Sequence, residues 1–135
     1  MKILPSLLLT ALLAASAQPG LARPKDPEAR LAQALEGRVA GEPVDCIPLR
    51  NIRSSRIIDG TAILYQVGST LYVNRPEGGE QSLDRDDIMV TDTHSSRLCS
   101  IDIVRLYDAT ARMQTGFVAL GPFVPYRRAA DADRR

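Results

Sequence analysis

Few side chains in this sequence are of a type that could do chemistry, and their spacing limits each one. His94 is the single histidine, in the run Thr91-Asp92-Thr93-His94-Ser95-Ser96. An acid, a base and a hydroxyl in that order invite comparison with a hydrolase relay. A working triad draws its members from separate elements so that they converge on one atom, and no G-x-S-x-G elbow is present to expose a serine. A polar surface loop explains the same letters, so no catalytic residue is assigned. Asp84, Asp86, Asp87 and Asp92 form the densest acidic group. Hard cations such as calcium need several oxygen ligands around a sharp turn. Here the spacing is D-x-D-D interrupted by Arg85, without the glycine or distal glutamate of a calcium loop. The expected reading is a solvated turn, with no metal ligand. No phosphate loop, zinc spacing or haem motif appears, so no cofactor is expected.

Cys46 and Cys99 are the only cysteines and stand 53 positions apart. A nucleophilic thiol or a metal ligand is the alternative to a disulfide, but neither cysteine lies in a C-x-x-C motif or beside other ligand-type residues. A structural Cys46–Cys99 bridge is expected. On chain-entropy grounds it would stabilise the fold by ~4 kcal/mol. Arg50, Arg53 and Arg56 make the densest basic cluster. On a strand, Arg50 and Arg56 would share a face with Arg53 opposite, and a charged strand edge that resists aggregation accounts for them. Tyr65, Tyr72, Tyr107 and Tyr126 could line a groove only if exposed together; tyrosine is common in strands for packing reasons alone. Asn74 and Asp102 interrupt strand patterns and read as edge or turn-facing groups.

The elements that would position these residues begin with an address label. Met1-Lys2 gives a positive start, Leu7 to Ala15 a compact apolar run, and small residues follow at Ala15-Ser16-Ala17 and Gly20-Leu21-Ala22. That order reads as a secretory signal peptide over residues 1–22, cut after Ala17 or Ala22. The apolar run falls short of the roughly 20 residues a bilayer span needs. No stable membrane insertion is expected after cleavage, and the location is periplasmic or secreted. Losing Lys2 takes the formal charge from +1 to zero. A neutral chain lacks the field that draws proteins to phosphate backbones, so no nucleic-acid partner is expected.

Residues 23–43 read as an N-terminal arm. Asp26-Pro27-Glu28 supplies an N-cap, a first-turn proline and an acid; Leu31 and Leu35 share one face; Gly37 stops the helix. A helix this short must dock its apolar stripe to persist. Residues 44–126 read as a β-rich domain. Arg56-Ile57-Ile58 and residues 61–67 flank the hairpin signal Asp59-Gly60, and Gly68-Ser69 turns the chain into residues 70–74. Strands follow at 88–90, at 98–107 (apolar on both faces and therefore central) and at 116–124, whose Pro122 and Pro125 place it at an edge. Residues 127–135 lose apolar patterning and read as a disordered tail. The fold class expected is mainly β: a small antiparallel sheet of about six strands rolled into a barrel or sandwich, with a short N-terminal helix.

The blocks Cys46-Ile47-Pro48-Leu49-Arg50-Asn51-Ile52-Arg53, Leu71-Tyr72-Val73-Asn74-Arg75, Leu98-Cys99-Ser100-Ile101-Asp102-Ile103 and Leu120-Gly121-Pro122-Phe123-Val124-Pro125-Tyr126 resemble a family of small exported bacterial proteins with no assigned activity. The resemblance implies export and a compact domain, and no chemistry. Many members of that family carry a second cysteine pair, one after the Tyr-Val-Asn block and one before the Leu-Gly-Pro-Phe block. Residues 77–83 and 116–119 contain none here. The function expected is a non-enzymatic binding or structural protein of the cell envelope, whose partner is an envelope or extracellular protein. The alternatives are a small inhibitor of a secreted enzyme, presenting residues 77–87, or a hydrolase using His94. The native protein is expected to show no free thiol before reduction; stoichiometric labelling of unreduced protein by a thiol reagent would contradict the bridge.

Overall fold

A computed structural model describes residues 26–134; the leader and its two cleavage sites lie outside them. Helix α1 spans Pro27–Ala34 and starts as the sequence dictates: the Asp26 carboxylate accepts the Ala29 N–H at 3.0 Å and Pro27 opens the first turn. The strands are β1 (Arg38–Ala40), β2 (Cys46–Pro48), β3 (Ile52–Ile58), β4 (Ala62–Val67), β5 (Thr70–Asn74), β6 (Asp87–Thr91), β7 (Arg97–Cys99), β8 (Ile103–Asp108), β9 (Gln114–Ala119) and β10 (Phe123–Arg128). A last helical turn, α2, covers Ala129–Ala132. All pairings among these strands are antiparallel. They form a five-stranded sheet ordered β1-β10-β5-β4-β3, a three-stranded sheet ordered β6-β8-β9 and the pair β2-β7. The sheets do not close into a barrel; the layout is that of a sandwich.

The five-stranded sheet is buried on both faces. On one, Ile57, Ile63, Tyr65 and Phe123 pack against Val104, Leu106 and Val118 of the three-stranded sheet and Ile47 and Leu98 of the pair. On the other, Ile58, Ala62, Leu64, Leu71 and Val73 receive Leu31, with Ala34 and Leu35 beside it. The apolar stripe of α1 thus docks on its own domain. The tight turn between β3 and β4 falls at Asp59-Gly60, where Gly60 takes the left-handed conformation (φ 59°) that the bend requires.

Several expectations are corrected. The run 98–107 is not one strand: the Asp102 carboxylate accepts the Cys99 N–H at 2.7 Å and its own N–H donates to the Cys99 carbonyl, a turn that separates β7 from β8. The run 116–124 likewise divides, because residues 120–122 carry the chain from the three-stranded sheet into the five-stranded one. With the short strands β1 and β2, this gives ten strands where about six were expected. β10 is not an edge, since it lies between β1 and β5. Pro125 is tolerated because β1 has ended beside it; only the Gly41 N–H reaches its carbonyl, at 2.7 Å. β10 also runs past residue 126, with Arg127 and Arg128 opposite Val39 and Arg38, so the arm at 23–43 and the tail are stitched into one sheet.

Asn74, expected at an edge or turn, is fully buried in an interior strand. Its amide donates to the Gly121 carbonyl at 2.5 Å and its carbonyl accepts the Gly121 N–H at 3.1 Å. A side chain therefore does for Gly121 what a neighbouring strand would otherwise do. Gly121 must be glycine, because a Cβ there would overlap the Arg75 carbonyl oxygen. Asn74→Ala would strand both Gly121 groups in the interior and is expected to cost about 3 kcal/mol, read as a lower urea midpoint. Asn51→Ala, at an exposed position, should change it little. Equal midpoints for the two variants would contradict the assignment.

Candidate functional site

The structure brings His94 close to two acids but builds no relay. An open hollow of about 460 Å³ is lined by Asp92, His94, Asp102 and Arg105, with Ile101 and Ile103 at its side. Asp92 is ion-paired with Arg105, and Asp102 is engaged by the Cys99 N–H. Ser95 Oγ accepts the Arg97 N–H at 3.2 Å. No hydrogen bond joins His94 to Asp92, Asp102 or Ser95 among the described residues, so the letters that suggested proton transfer lie together in space without the bonds that would orient them.

The acidic group is likewise dispersed onto local partners. Asp84 caps its own turn by accepting the Asp86 N–H at 2.9 Å, and Asp87 accepts the Thr115 hydroxyl at 2.5 Å. Among the described residues, no three His, Cys, Asp or Glu side chains are placed to hold a metal ion. Cys46 and Cys99 are joined by a disulfide and sit directly opposite each other in β2 and β7. The tyrosines form no exposed cluster: Tyr65 is buried with its ring edge-on to Phe123 at 5.8 Å, and burial pushes its hydroxyl pKa up. Tyr72 packs toward the same core, Tyr126 toward the helix-side core, and Tyr107 lies on the far side of the three-stranded sheet. Arg53 and Arg56 lie on β3, the end strand of its sheet, with a bulge between Ile52 and Ser54; Arg50 precedes the strand in a 3-10 turn.

Two features escaped the sequence. The first is Asp59, read only as a turn residue. Its carboxylate accepts Arg30 Nη1 of α1 at 2.7 Å and the Arg85 N–H at 2.8 Å. It ties helix, hairpin and the segment before β6 together.

The second is the outer face of the three-stranded sheet. Strand alternation points Val104 and Leu106 of β8 inward at 0% exposure and turns Ile103, Arg105 and Tyr107 outward. Across the sheet Val90, Arg105 and Phe117 form one row; Ile88 pairs with Tyr107, and Ile103 with Ala119. On this face Ile88, Ile103 and Phe117 are 53%, 53% and 57% exposed. The sequence reading took β8 as apolar on both faces and so central. It is central by hydrogen bonding, yet nothing among the described residues covers its second face. Comparison with known proteins returned no matching protein-family profile, curated protein or solved structure.

Partial burial raises the Asp59 pKa, but the hydrogen bonds from Arg30 and the Arg85 backbone, with both guanidinium charges, outweigh it and hold the carboxyl below its ordinary value. A depressed folded-state pKa contributes stability above the unfolded value, about 3.9, and loses it as pH falls through the folded value. Asp59→Asn is expected to cost about 1 kcal/mol at pH 6, with the gap to the unmodified protein narrowing toward pH 3. Urea midpoints at the two pH values check this; a gap of constant size would contradict it.

Proposed function

We propose that this is a non-enzymatic protein of the cell envelope, periplasmic or secreted, that binds a protein partner through the outer face of the three-stranded sheet. The observation that carries the reading is the open apolar face itself. Contiguous apolar surface of this kind on a water-facing domain marks an interaction site. The charge on it is internally compensated, because Arg105 is paired with Asp92. An uncompensated field would favour a polyanion or an anionic lipid surface; a neutral apolar face fits the apolar face of another protein. The leader-like N-terminus and the Cys46–Cys99 bridge support an oxidising compartment. The resemblance to the exported family gains support from one placement: the two segments where members carry a second cysteine pair lie side by side, with the Ala119 N–H donating to the Gly78 carbonyl and the Ala119 carbonyl accepting the Glu77 N–H, each at 2.9 Å.

The test places a photo-crosslinking side chain at 103, at 117 and, as control, at Glu36 in the exposed turn after α1. In intact cells, positions 103 and 117 are expected to give one shared adduct that Glu36 does not, and Phe117→Glu is expected to abolish the adduct from 103 without lowering the melting temperature. Three results would overturn the reading. They are no adduct, an adduct unaffected by Phe117→Glu, and a cellular activity lost in folded His94→Ala.

A further inference from the structure

The opposite side of the molecule carries a second surface, independent of the apolar face. A groove runs between α1 and the edge strand β3. Its first part, about 410 Å³, lies among Arg30, Arg56, Ile58 and Arg85. Its second, about 400 Å³, has Leu64 and Leu71 at its floor and Arg38 and Arg56 at its sides. Arg56 and Ala34 line both parts, so the two are continuous. Four guanidinium groups border the groove in a chain whose formal charge is only +1.

Those four cations are unequally matched. Arg30 is held by Asp59 at 2.7 Å. Arg85 is loosely placed, 4.0 Å from Asp59 and 3.9 Å from Asp86. Arg38 spends Nη1 on the Ser69 and Tyr126 carbonyls and meets no carboxylate among the described residues. Arg56 has neither a carboxylate nor a hydrogen-bond partner among the described residues. Two uncompensated guanidiniums thus flank an apolar floor, an arrangement that binds a carboxylate while shielding it from competing water.

The strand beside them adds the second element. β3 ends the five-stranded sheet, with no strand on its outer side among the described residues, and residues 53–56 are exposed. The outward main-chain groups of such an edge are free to pair with an added strand. We propose that this groove takes an extended acidic peptide segment of a partner protein, which adds to β3 as a sixth strand and places a carboxylate on Arg56. Charge chooses among occupants. A second copy docking β3 to β3 would bring Arg53 and Arg56 against their own counterparts, whereas an acidic strand satisfies the same groups. A nucleic acid could meet the charges but offers no strand for the backbone.

The test uses protein expressed from the complete sequence and a fluorescein-labelled peptide of about ten residues, alternating glutamate and valine, followed by anisotropy. Binding is expected, weakening with added salt and falling about tenfold in Arg56→Ala. That variant alters an exposed side chain and should keep the melting temperature of the parent. The same peptide with glutamine for glutamate, and one N-methylated along the edge that faces β3, should each bind at least about tenfold more weakly. The proposal is overturned by absence of binding, by unchanged affinity in Arg56→Ala, or by either modified peptide binding as tightly as its parent. It is equally overturned if a single-stranded oligonucleotide binds as tightly as the acidic peptide.

Discussion

The two layers of this protein meet where the chain leaves β9 and enters β10, and there the backbone of Gly121 is held by one side chain. Asn74 pairs with both the N–H and the C=O of Gly121 inside the molecule. Without that clamp the crossing would bury two unpaired backbone groups, which proteins rarely tolerate. With it, β10 can enter between β5 and β1, Phe123 can reach the core edge-on to Tyr65, and the arm and the tail become one sheet with the centre. The absence of a Cβ at 121 and the amide at 74 belong to the same solution: the first allows the approach to the Arg75 carbonyl, the second supplies the missing ladder.

Other ties secure the periphery of that frame. The disulfide fixes β2 to β7 across a long loop, and Asp59 gathers α1, the β3–β4 turn and the approach to β6. Between them the five-stranded sheet is covered on one face by helix and on the other by the smaller sheets. What remains open is the outside of the sandwich. One exterior is apolar and charge-compensated at Phe117, Ile103 and Ile88; the other is a basic groove along an unpaired strand. The two exteriors differ in the chemistry they favour.

Much of the local structure was legible in the letters because it depends on near neighbours. The Asp26 cap, the Asp59-Gly60 turn, the meander through residue 74 and the Cys46–Cys99 pairing each follow from residue types a few positions apart or from a single possible pair. What was not legible depends on contacts distant in sequence. Asn74 reads as a misplaced polar residue until Gly121, 47 positions on, is seen beside it. The run 98–107 reads as one strand because its apolar letters continue, while the break is made by the Asp102 side chain folding back on Cys99. Pro125 argued for an edge and was tolerated inside the sheet because β1 ends next to it. The open face of β8 could not be foreseen from its apolar residues, since alternation says which residues share a face and not whether another layer covers it. His94, Asp92 and Asp102 do come together, but the bonds each carboxylate makes elsewhere are invisible in sequence.

The clamp is tested most directly by native-state amide hydrogen exchange at Gly121. If Asn74 holds the crossing between the layers, the Gly121 N–H should be released only with global unfolding, in the slowest class beside the amides of β4 and β8. Exchange of Gly121 at the rate of exposed turn amides such as that of Gly68, while β4 and β8 stay protected, would show that the layers are joined by something else.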